Sequence, residues 1–135
     1  MITITAEQLA SAILTIHALH SQGKYHEAEI ISDTMLAFDP DNAYLHVLLA
    51  SSCHHQKKFP KAIQGYTRAI ELQPEDIASF VNRGEIYLRS GKFIEAFEDL
   101  KRASELNIPD QDVFANRARL LMQMTSSALK AVRQD

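Results

Sequence analysis

One spacing constrains this chain more than any other feature: matched residue types recur every 34 positions. Ala28, Ala62 and Ala96 are 34 apart, and Tyr25, Phe59 and Phe93 keep that spacing three residues earlier. Gly23, Lys57 and Gly91 follow it, as do Met35, Ala69 and Ala103. Ala50, Gly84 and Ala118 share a register, and so do Phe80 and Phe114. Pro40 and Pro74 are also 34 apart, whereas Pro109 comes one residue late. A fixed period in this range marks small units that cannot bury their apolar face alone and must stack on neighbours. The repeats fall at 9–42, 43–76 and 77–110, within one domain over 1–135.

Each unit reads as helix, short turn, helix. Gly23 and Gly91 can take the left-handed conformation that ends a first helix. Lys57 does so less easily, so the second turn should be tighter or slightly strained. Small Ala28, Ala62 and Ala96 let paired helices approach, with Tyr25, Phe59 and Phe93 filling the space beside each turn. Pro40 and Pro74 punctuate, because proline lacks an amide donor and is favoured only at a helix start. Thr5 with Gln8 forms a capping box for the first helix. The pattern predicts helices near 6–21, 25–38, 42–56, 60–72, 76–90, 93–106 and 110–131. The last is a solitary capping helix in which Phe114, Ala118 and Leu121 should dock on repeat three. Its polar tail, from about Thr125, should fray.

Composition narrows the class further. The chain has 135 residues, 46% of them hydrophobic and 23% charged, enough apolar surface to fold. Four Gly and four Pro are few for a turn-rich all-β protein, so the count leans towards helix, and with the repeat pattern the expected fold class is all-α. No run of 18 apolar residues spans a membrane, and Met1-Ile2-Thr3-Ile4-Thr5 lacks the basic start of a secretory signal. The single cysteine, Cys53, permits no intrachain disulfide and suits a reducing, cytoplasmic location. A net charge of −3 argues against a nucleic-acid partner.

The 34-residue period with these residue types resembles the tetratricopeptide repeat, an α-solenoid of helix pairs. Repeat one departs from the pattern at Ala12, Ile16 and Ser32. The resemblance implies a concave groove lined by the first helix of each pair. Its inward positions carry Ala10, Ile13, Leu14, His17, His20 and Ser21 in repeat one. Repeat two contributes Tyr44, Val47, Leu48, Ser51, His54 and His55, and repeat three Ala78, Val81, Asn82, Glu85, Leu88 and Arg89. The capping helix would add Asn116, Arg119 and Met122. The carboxylate clamp of heat-shock co-chaperones, in the same family, uses Lys and Asn in repeat one, Asn in repeat two, and Lys with Arg in repeat three. The matching positions here are Ile13, His17, Leu48, Ala78 and Asn82, which argues against a heat-shock adaptor.

The first helices of repeats one and two are apolar almost all round, from Leu9 to Leu19 and from Ala43 to Cys53. A helix of that kind is buried on more than one face. The second face needs a ligand segment, another subunit, or Ile2 and Ile4 folding back; the alternative is a generous core. His17, His20, His54 and His55 crowd the same side. Zinc would need three or four ligands converging at about 2 Å, and no motif spacing supports that. Hydrogen bonding to a peptide backbone is the reading preferred for them. Cys53 reads as a small buried hydrophobe. Glu75 and Asp76 sit at a helix start, where acids favour the dipole. Neither a nucleophile–base pair nor a glycine-rich phosphate loop is visible, so no enzyme activity, cofactor or metal is expected.

Three stretches resemble the small tetratricopeptide chaperones of bacterial type III secretion: Gln22 to Glu29, Ala62 to Tyr66, and Gly84 to Lys92. That resemblance implies a cytoplasmic virulence-associated chaperone in protein transport, without enzymatic activity. It would hold an aggregation-prone secreted substrate in its groove. Ile13, Leu14, Tyr44, Val47, Leu48, Val81 and Leu88 would supply the apolar pockets. His17, Ser51, His54, Asn82 and Glu85 would line the groove as polar positions. Homodimerisation through helix one is expected from its apolar circumference. The rival reading is a scaffold or homodimeric adaptor joining folded proteins. Replacing Val47 and Leu48 together by Asp should abolish binding and spare the helices.

Overall fold

The computed structural model describes residues 3–106 and 113–133, and all its regular elements there are helices. They are α1 (Ala6–Ser21), α2 (Tyr25–Phe38), α3 (Ala43–His55), α4 (Phe59–Leu72), α5 (Ile77–Arg89), α6 (Phe93–Glu105) and α7 (Val113–Arg133). The first six lie within one residue of the predicted bounds at each end. The all-α tetratricopeptide helix-pair architecture is therefore present. The chain divides into two compact units, Met1–Pro74 and Glu75–Asp135.

The first unit holds α1 to α4. Thr5 caps α1: its hydroxyl accepts from the Gln8 amide at 3.0 Å while the Thr5 amide donates to the Gln8 side chain at 2.9 Å. At the end of α1 the Gly23 amide donates to the His20 carbonyl, and the Lys24 amide reaches back to Leu19 at 2.8 Å. Two carbonyls that the helix would leave bare are thus satisfied. Gly23 has φ 71 to allow this. The same closure ends α3, with Lys57 and Lys58 donating to His54 and Cys53. There a lysine must hold φ 62, the strained turn that the missing glycine predicted. Asn42 caps α3 by accepting from the Leu45 amide at 3.1 Å.

Ile16, Ala28, Leu45 and Leu48 form the core where α1, α2 and α3 meet, with Ile13, Ile31 and Met35 packed around them. Ala28 and Ala62 are fully buried, as the close-approach argument requires. Gly65 of α4 lies so close to α3 that a Cβ would stand 2.8 Å from that of Ala50 and 3.1 Å from the His46 carbonyl oxygen. A charged lock spans the helices. Glu29 of α2 is buried and accepts from Lys61 at 2.7 Å and from Lys58 and Gln56 at 2.9 Å.

The second unit holds α5, α6 and α7. Gly91, at φ 77, repeats the closure at the end of α5. Val81, Ile86, Ala96, Leu100 and Ala103 are buried, and Arg83 grips Asp99 with two 2.7 Å hydrogen bonds. The capping helix docks on α5 and α6 of this unit, with Ala118 and Leu121 buried as expected. Ala115, Ala118, Leu121 and Thr125 face inward, while Phe114 stays 42% exposed. Pro109 lies outside the described residues, as do Ile2 and residues 110–112. The expected fraying from Thr125 does not occur. The Thr125 hydroxyl is buried and donates to the Leu121 carbonyl at 2.8 Å, and the helix runs on to Arg133.

Candidate functional site

In the first unit, α1 and α3 present a face of mixed aromatic, aliphatic and histidine character. Leu14 is 70% exposed and Tyr44 46% exposed. Ile13, Val47, Ser51 and His54 are half-buried beside them, and His17 is exposed. Tyr44 and His17 are coupled, the hydroxyl 2.8 Å from Nε2, with ring centres 5.9 Å apart. Leu48 differs from its neighbours. At 5% exposure it belongs to the α1–α3 core, so Leu48→Asp would break packing rather than a binding contact. The double substitution with Val47 therefore cannot separate binding from folding.

Hydrogen bonds fix the histidines individually. The Ser52 hydroxyl donates its one proton to the Leu48 carbonyl at 2.8 Å. It must therefore accept from His20 Nε2, also at 2.8 Å, which sets that ring's proton on Nε2. Partial burial, then the neighbouring His55 and His17, lower the His20 pKa. His55 donates from Nδ1 to the Ser51 carbonyl at 2.8 Å and stacks on Tyr25 with ring centres 4.3 Å apart. His54 Nδ1 lies 3.4 Å from the Tyr66 hydroxyl. Among the described residues no group of three His, Cys, Asp or Glu side chains is placed to hold a metal ion. The polar row is instead a set of oriented donors and acceptors. Cys53 is fully buried, and that burial pushes its thiol pKa up to about 11, so it is a packed hydrophobe rather than a nucleophile.

In the second unit the expected groove positions separate by burial. Asn82 and Leu88 are half-buried, whereas Val81 is a core residue. Glu85 is buried too. Its carboxylate accepts from Arg117 of α7 at 2.7 Å and from Arg89 at 3.2 Å, so it is committed to the chain's own arginines. Arg117, which was not among the expected groove positions of α7, thus meets α5. Sequence reasoning missed two features of the first unit. The Tyr25–His55 stack joins residues on opposite sides of a repeat boundary, and the lysine cluster on Glu29 is invisible to a 34-residue comparison because its members lie in different repeats.

Comparison with known proteins agrees with this architecture. Residues 77–107 match the family model of the tetratricopeptide repeat. Hsp70-Hsp90 organizing protein 1 of Arabidopsis thaliana is 43% identical over 51 residues, which are 38% of this chain and 9% of that protein. The chain thus matches only a small part of that relative's length. Among solved structures, the type III secretion translocator chaperone SycD of Yersinia enterocolitica superposes with a TM-score of 0.88 at 18% identity, covering 94% of this chain and 89% of that one. PcrH in complex with the chaperone binding region of PopD gives 0.88 at 17% identity, with 100% of both chains covered. The first tetratricopeptide domain of Spaghetti (RPAP3), bound to the HSP90 peptide SRMEEVD, gives 0.84 at 25% identity, covering 96% and 99%.

Proposed function

The chain is a tetratricopeptide-repeat protein, and from that premise we propose that it is a non-enzymatic cytoplasmic chaperone of type III secretion. Its repeats at 9–42, 43–76 and 77–110 act as one domain, and the α1–α3 face holds a segment of an aggregation-prone secreted protein. One observation carries the reading: Leu14 and Tyr44 stand 70% and 46% exposed above a filled core, with the Tyr44 hydroxyl held by His17. Apolar side chains in that setting gain about 25 cal/mol per Å² when a partner covers them. Ile13 and Val47 extend the apolar floor, and His17, Ser51 and His54 supply polar contacts. The full-length likeness to SycD and PcrH, and the PopD region seated on PcrH, support this choice of client. The exposed side of α1 also serves a second copy when the client is absent.

A second reading, an adaptor for heat-shock proteins, is favoured by the 43% identity to the organizing protein. Against it, Ile13 and Ala78 occupy positions where the carboxylate clamp of that group has lysines. The two readings are separated by binding. A co-expressed exported client from the native host should stay soluble with the wild type and precipitate with Leu14→Asp/Tyr44→Asp, whose circular dichroism is unchanged. The adaptor reading instead predicts binding of SRMEEVD that is lost when its C-terminus is amidated. That result would overturn the chaperone reading.

A further inference from the structure

The register of α7 leaves a surface that the fold does not use. Val113, Leu120 and Met124 are 81%, 58% and 53% exposed. Their spacing of seven and four places them within about 40° of one line along the helix. This stripe is separate from the buried side of α7 formed by Ala115, Ala118, Leu121 and Thr125. A solvent-facing stripe of a surface helix is normally polar. Arg117 lies in the same stripe, four residues after Val113 and three before Leu120. Its guanidinium donates to Glu85 at 2.7 Å, and Glu85 also receives Arg89 at 3.2 Å. Both arginines are exposed, and among the described residues these two cations share the one Glu85 carboxylate.

We propose that the α7 stripe is a docking surface for an amphipathic protein segment whose apolar side covers Val113, Leu120 and Met124 and whose acidic side chain meets Arg117 and Arg89. The inference rests on the reading above that this chain binds protein segments, and adds a separate surface with its own ligand chemistry. Charge selects the occupant. Glu85 pins the two guanidiniums in place, and an arriving carboxylate completes a cluster that has one acid for two bases. The surrounding apolar side chains exclude water once covered, which strengthens that pairing. A second copy of α7 fits less well, because α7 carries no acid between Val113 and Arg133 to meet the guanidiniums.

The test is selection of 16-residue peptides from a random phage-displayed library on the whole chain, followed by fluorescence anisotropy with the selected peptides. The expected consensus has apolar residues three or four apart and an internal Asp or Glu. Leu120→Ser/Met124→Ser should weaken binding at least tenfold. Replacing the peptide's acid by its amide should weaken binding to the wild type, and should change nothing for Arg89→Gln/Arg117→Gln. Peptides that bind equally well to the α7 variants but are lost on Leu14→Ser/Tyr44→Ser overturn this inference and leave the chaperone reading standing. Recovery of no peptide overturns both. A wild-type dimer that becomes monomeric with Leu120→Ser/Met124→Ser assigns the stripe to a second copy and also overturns the proposal.

Discussion

Lys57 and Glu29 are single side chains whose energetics can be read directly. Lys57 holds φ 62 where Gly23 and Gly91 stand in the other repeats. A side chain in that region costs about 1 kcal/mol, partly offset by the lower entropy of an unfolded chain without glycine. Lys57→Gly should therefore stabilise the protein by about 0.5–1 kcal/mol, measured by urea denaturation. Glu29 has its pKa lowered to about 2, chiefly by the Lys61 hydrogen bond, with Lys58 and Gln56 adding to it against the cost of burial. The ion-paired form belongs to the folded state. Its contribution is complete above the ordinary value of 4.5 and disappears as pH falls towards 2. Glu29→Gln should cost about 1–3 kcal/mol at pH 7, and its stability curve should converge on the wild type through that acid range. His20 is likewise favoured in its deprotonated form, which for imidazole is the neutral one. Its lowered pKa favours the neutral ring in the fold, so it adds to destabilisation below about pH 6.5. At this scale the sequence was informative only where the repeat itself was. Lys57 stood out as a departure from glycine, but nothing local distinguished Glu29 from a solvated helix acid.

Elements were the most legible level. Proline, glycine and alanine at matched positions placed six helices, because each of those residues acts through local backbone geometry. The seventh buries Ala118 and Leu121 as expected but Ala115 in place of Phe114, and it brings Arg117 to Glu85. The groove was legible as a choice of helices but less so as a choice of side chains. Leu48 and Val81 carry the same apolar character as Leu14 and Tyr44, and only packing decides which of them is covered. Helix α1 carries its own prediction. Only Ile16 of that helix is fully buried, and Leu14 stands out from it. Sedimentation should find dimers at tens of micromolar that Leu14→Asp dissociates; a monomer for the wild type would remove α1 as a self-association surface.

For the whole molecule, the repeat period translates into helix pairs closed by three equivalent turns. A large apolar fraction then has two uses. Much of it fills the cores of the two units. Part of the remainder stands exposed at Leu14 and Tyr44 on one unit and along α7 on the other. The central claim is that the α1–α3 face exists to hold a protein segment. It is tested most directly by placing a photocrosslinking amino acid at position 14 in the native host, with position 34 on the exposed side of α2 as the control. The account predicts a crosslink from position 14 to one contiguous segment of an exported protein, and none from position 34. Equal crosslinking from both positions, or attachment to the surface of a folded protein, would contradict it.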